Sequence, residues 1–163
     1  MDKYGLIENH GIVFTARPNA VPYNYRISYK VSQICLILSR SCRGKSGCLP
    51  VKLHMISFAL CSNVTMDKLL EFAKNDFTAP PIVRFDPAVN RVVAFAIADQ
   101  LIVQDMSGKY ALTEKGKRLV EAIEKDHTVL ATEKNDLSAL SKKLSDAKIK
   151  QLSDVWRNAY AED

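Results

Sequence analysis

Arg40, Arg43 and Lys45 lie within Ser39-Arg40-Ser41-Cys42-Arg43-Gly44-Lys45-Ser46-Gly47. Cations spaced among small residues suit phosphate contact, because each neutralised phosphate releases counterions condensed on nucleic acid. These three are the candidate DNA-backbone residues. The same composition also suits a solvated connection between two helices. Gly44-Lys45-Ser46 ends like a nucleotide phosphate loop, but the upstream glycine of that motif is missing from Ser39-Arg40-Ser41. Cys35, Cys42, Cys48, His54 and Cys61 follow one another at gaps of six, five, five and six residues. Structural zinc sites draw their ligands from close pairs such as C-x2-C, which this spacing lacks. Cys35 falls in an apolar run, where a thiol serves as a small hydrophobe. His10, His54 and His127 have no triad or metal spacing. Arg84, Asp86 and Asp99 could form an ion pair across the helix that separates them. The chain therefore reads as a non-enzyme with no catalytic, metal or cofactor site.

The next candidate chemistry is recognition. Arg91-Val92-Val93-Ala94-Phe95-Ala96-Ile97-Ala98 reads as a short apolar helix, Leu101-Ile102-Val103-Gln104 as a strand and Tyr110-Ala111-Leu112 as its return. Ser107-Gly108 has the chemistry of the turn between them. Thr113 is placed to cap a helix running through Leu119, Val120 and Ile123. Helix, strand, turn, strand, helix is the closing order of a winged helix. In a DNA reader the helix before the wing offers polar side chains to base edges. Here only Asn90, Arg91 and Asp99 stand at its ends, and the wing adds Lys109. The apolar middle fits contact with protein. Val93, Phe95 and Ile97 are the candidate partner residues.

The elements that must position these residues can be read from periodicity. Ile27, Val31, Ile34 and Leu38, widened by Cys35, Leu36 and Ile37, predict a helix from about Tyr25 to Ser41, buried on most sides. Pro50 suits the first turn of a second helix, lined by Leu53, Ile56, Ala59 and Leu60. Thr65 is the expected cap of a third, with Met66, Leu69, Leu70 and Ala73 inward. Beyond Thr132, a stripe of Leu137, Leu140 and Leu144 precedes a last helix carrying Ile149, Leu152, Val155 and Trp156. That stripe fits either helices packed back on the domain or a docking arm, for which Leu152 and Trp156 are the candidate partner residues. The fold class is mainly α with a small β-hairpin wing. The expected division is an N-terminal segment at 1–20, a winged-helix-like domain at 21–128 and a C-terminal helical extension at 129–163.

Composition agrees with a globular protein: 163 residues, 47% hydrophobic and 25% charged, leave ample material for a core. The net charge of +5 is uneven: residues 1–60 hold eight Lys/Arg against two Asp/Glu, and the remainder fifteen against sixteen. The basic field thus belongs to the first third. No apolar run approaches the ~18 residues of a membrane span, and Met1-Asp2-Lys3-Tyr4-Gly5 lacks a signal pattern. A cytoplasmic protein is expected, and in a reducing cytosol disulfides are not.

One family shares this order of features. Val21-Pro22-Tyr23-Asn24 precedes the first apolar helix, and a second helix with Leu53, Ile56 and Phe58 follows a polar loop. Val83-Arg84-Phe85-Asp86-Pro87, then Asn90 and the Ala94–Ala98 helix, lead to Lys109-Tyr110-Ala111-Leu112-Thr113-Glu114-Lys115-Gly116. Over residues 20–125 the chain resembles the middle subunit of three-component ABC-type systems, the accessory subunit of Lamassu-type prokaryotic defence. The resemblance implies a non-catalytic subunit that bridges an SMC-type coiled-coil ATPase and an effector, often a nuclease, against phage or plasmid. It also implies DNA as a partner within the complex. The alternative is a dimeric winged-helix transcription regulator.

Overall fold

The computed structural model describes residues 22, 26–42, 47–74, 84–141 and 143–159, with side chains through Asp154 in the last helix. Its elements, in order, are α1 (Ile27–Ser41), α2 (Pro50–Ala59), α3 (Asn63–Lys74), α4 (Pro87–Ala98), β1 (Ile102–Gln104), β2 (Tyr110–Leu112), α5 (Glu114–Lys125), α6 (Ala131–Leu140) and α7 (Asp146–Ala159). The protein is mainly helical with one small antiparallel hairpin, in which Ile102 pairs with Leu112 and Gln104 with Tyr110. None of the described helices is long and apolar enough to cross a membrane.

α1 is the central element, packed against α2, α4, α5, α6 and β2. That position accounts for its wide apolar face: Ile34, Cys35, Leu36 and Ile37 are all fully buried. α2 starts at Pro50, where a missing N–H costs nothing. It is buried almost all round, including Lys52, His54 and Ser57. The cap of α3 is Ser62 rather than Thr65. The Ser62 hydroxyl accepts from the Thr65 amide at 3.2 Å, while the Thr65 hydroxyl turns back to the carbonyl of Ala59 at 2.9 Å.

Asp86 caps α4 by accepting from the Ala88 amide at 2.8 Å. Asp99, at the other end, pairs with Lys115 at 2.8 Å. The two carboxylates therefore serve the helix ends separately, which corrects the ion pair expected between Arg84, Asp86 and Asp99. α4 closes with a left-handed Gln100 (φ 57°), its amide on the Ile97 carbonyl and that of Leu101 on Ala96. This Schellman geometry satisfies carbonyls that would otherwise be orphaned, and it turns the chain into β1. Asp105 organises the hairpin by accepting from the amides of Ser107 and Lys109, and Gly108 takes the positive φ of 80° that the turn requires. Thr113 caps α5 as expected, its hydroxyl accepting from the Gly116 amide at 3.1 Å. A Cβ at Gly116 would run into the Leu101 carbonyl oxygen, so the residue's smallness lets α5 approach the hairpin.

Cys48 adds a third rung beside β2. Its amide donates to the Tyr110 carbonyl at 2.8 Å, and the Tyr110 amide donates back at 2.9 Å. The α1–α2 connection is thereby tied to the wing.

The C-terminal helices pack on the rest of the fold. α6 lies against α1 and α3, and α7 against α2. Leu137, Leu140, Leu144 and Leu152 are fully buried, continuous with the core from α1 and α2. Of the two readings of the leucine stripe, packing back on the domain describes it.

Candidate partner and nucleic-acid interface

α4 has two faces of similar chemistry and different fate. Val89, Val92, Val93 and Ala96 point into the core against α1. Ala94, Phe95, Ile97 and Ala98 are exposed, Phe95 at 52% and Ile97 at 38%. Val93, at 6% exposure, is a core residue and cannot present itself to a partner, which corrects its assignment to the interface. Phe95 and Ile97 do lie outside. Phe95 and Ile97, two residues apart, stand at opposite edges of the exposed side with Ala94, Ala98 and the exposed Arg91 between them, so this side is largely apolar and Arg91 is its base-reading candidate.

Of the polar residues expected near this helix, Asn90, Asp99 and Lys109 are committed, while Arg91 is exposed. Asn90 lies 2.9 Å from Nε2 of His54 through its side-chain oxygen. His54 is 5% exposed, and its Nδ1 is buried with no hydrogen-bond partner among the described residues. Phe85 lies on the same histidine, ring centroids 5.0 Å apart, and is itself 59% exposed. Sequence reasoning missed Phe85 as surface, although its place just before the α4 cap, in extended chain, was a usable signal. Lys109 does not project from the wing tip. Its ammonium turns back to Asp146, 3.3 Å away at the start of α7, and Lys52 approaches the same carboxylate at 3.6 Å. Met106, fully exposed, occupies the tip instead.

Arg40 holds three helices together. Its Nε and Nη2 form a two-pronged bond with Glu124 on α5, both at 2.7 Å. Nη1 reaches the Lys134 carbonyl at 2.9 Å and the Ser138 hydroxyl on α6. Those hydrogen bonds to Glu124 raise its pKa above the ordinary value. The Glu124 carboxylate neutralises the charge that a phosphate would use. Arg43 and Lys45 lie outside the described residues. Leu152 is fully buried beneath α2, so it packs the chain's own core rather than a docking surface. The side chain of Trp156 lies outside the described set.

A second polar cluster went unanticipated. The Lys30 ammonium, 3% exposed, donates to Gln33 at 3.1 Å and to the Ser57 hydroxyl at 3.3 Å, and Ser57 donates to Gln33 at 3.1 Å. Lys30 three residues before Gln33 inside an apolar helix was the available sign. The cluster joins α1 to α2 through satisfied bonds and offers no nucleophile–base pair. Burial pushes the Cys35 thiol up to about 11, which leaves it an unreactive hydrophobe. Cys42 and Cys48 are joined in a disulfide with Cα atoms 5.2 Å apart, contrary to the expectation for a reducing cytosol. Their proximity follows from the Cys48–Tyr110 pairing, which draws that segment beside the end of α1. Among the described residues no group of His, Cys, Asp and Glu could hold a metal ion. No family model, curated protein or solved structure matches the chain.

Proposed function

We propose that the chain is a non-catalytic accessory subunit of an anti-phage or anti-plasmid defence complex, seated between an SMC-type coiled-coil ATPase and an effector nuclease. The observation that carries the reading is the largely apolar outward side of α4, where Phe95 and Ile97 stand exposed and Arg91 and the His54-bound Asn90 are the polar side chains, fewer than a winged-helix DNA reader presents. Such a face is stabilised by cover, and a protein partner supplies it. The resemblance of the sequence to the accessory subunits of Lamassu-type systems supports that class of partner. DNA is met within the complex through backbone contacts of Arg43 and Lys45, while Arg40 is engaged by Glu124 and Ser138.

Affinity purification of the tagged protein from its host, with mass spectrometry of what co-purifies, tests the proposal. Recovery of a large coiled-coil ATPase in fixed ratio supports it. Recovery of a dimer that prefers one DNA sequence over others would overturn it in favour of the transcription regulator. For the DNA contact, replacing Arg43 and Lys45 by Ala should weaken binding evenly across sequences and flatten its salt dependence.

A further inference from the structure

Cys42 ends α1, and Cys48 is the residue that pairs with Tyr110 on the open side of β2. Their Cα separation of 5.2 Å lies within the range that a disulfide spans. The two residues differ in access: Cys48 is fully buried and Cys42 partly exposed. The other thiols are placed elsewhere, Cys35 sealed inside α1 and Cys61 exposed just beyond α2. Gly47 brings the chain hard against the hairpin, since a Cβ there would sit 3.0 Å from the Lys109 Cβ and 3.1 Å from the Tyr110 oxygen. The cross-link therefore joins the end of the central helix to the one segment that completes the wing.

We propose that Cys42 and Cys48 form a reversible dithiol–disulfide pair that exchanges with low-molecular-weight thiols and sets how firmly residues 47–49 are held on the wing. The sulfur of Cys42, the more exposed residue of the two, is the one attacked. An incoming thiolate forms a mixed disulfide with it and expels the Cys48 thiolate, which takes a proton from water. A second small thiol, as its thiolate, then attacks the small-molecule sulfur of that mixed disulfide and releases Cys42. One protein disulfide and two small thiols thus become one protein dithiol and one small disulfide, with two electrons moved. Oxidation is the reverse. In the reduced state the rung at Cys48 rests on its two main-chain hydrogen bonds and local packing alone.

The test is to equilibrate the full chain in reduced and oxidised glutathione at graded ratios, quench with acid, and count free thiols by maleimide mass shift. Amide exchange at Cys48 and Tyr110 is followed in the same samples by NMR. The expected result is one two-thiol step assigned to Cys42 and Cys48. Tyr110 exchange should be about tenfold faster or more in the reduced protein, with Val120 unchanged. Cys42→Ser should remove the step and fix Tyr110 at the reduced rate, whereas Cys61→Ser should change neither. A pair that stays reduced, or stays oxidised, across the whole range overturns the proposal. So does pairing of Cys42 with Cys61, or equal Tyr110 exchange in both states. The wild-type comparison needs no variant to fold.

Discussion

Phe95→Ser separates a partner-covered surface from an incidental one. Phe95 is 52% exposed in the isolated chain. Fully covering an aromatic side chain removes about 150–250 Å² from water, so a partner seated on Phe95 covers roughly 100 Å² more. At ~25 cal/mol per Å² this is worth about 2.5 kcal/mol, or roughly 70-fold in affinity. Serine also forfeits the half already covered by the chain, so the isolated variant should be about 2 kcal/mol less stable. Calorimetric titration of the co-purifying partner, well below the melting temperature, reads the first effect, and urea unfolding reads the second. Val93→Ala is the matched control: the residue is buried, so it should cost about 1–3 kcal/mol of stability and leave affinity within a few-fold. If Phe95→Ser bound its partner within threefold of the parent, the α4 face would not be the interface.

Four further outcomes are expected. Gly116→Ala should cost about 1–3 kcal/mol in urea unfolding, because the new methyl meets the Leu101 carbonyl of the hairpin. Gln100→Gly should stabilise by about 0.5–1 kcal/mol, since the left-handed φ of 57° strains any residue with a Cβ. Leu152→Ala should cost about 2–5 kcal/mol, given its full burial; an effect near zero would restore the docking arm. Burial lowers the Lys52 pKa, opposed in part by Asp146, so the folded protein holds this proton less tightly than the unfolded chain. The penalty is complete below the folded-state pKa and fades as pH rises toward the ordinary value of about 10.4. This group therefore makes stability increase with pH in that alkaline window. Lys52→Met should be neutral to about 2 kcal/mol more stable and should remove that rise, which thermal melts across pH would show.

Much of the fold was legible because periodicity and caps are local. The α1 stripe, Pro50 at the start of α2, the Ser107-Gly108 turn and the Thr113 cap each depend on residues a few positions apart. What eluded the sequence was pairing at a distance. Arg40 reads as a phosphate contact until Glu124 and Ser138 arrive from much later in the chain. Lys109 reads as a wing-tip cation until Asp146 claims it. The apolar α4 was recognised, but which half faced inward depends on where α1 lies, so Val93 and Phe95 could not be told apart. Spacing among the cysteines gave no sign of the pair, because Tyr110 is what brings Cys48 into place.

The central position of α1 also bears on how the protein is made. α1 leaves the ribosome before much of its cover, which comes from α4, α5 and α6 as well as α2, and Arg40 near its end finds its last partner at Ser138. Until that point has been translated, fully apolar residues such as Ile34 and Ile37 lack their final surroundings. At about 5–20 residues per second the interval lasts seconds, long compared with the collapse of a short chain. During that time the nascent helix is an exposed hydrophobic segment in need of a chaperone or of a partner already at hand. The central helix is thus the element whose folding waits longest for its surroundings, although it is among the first of the described elements in the chain.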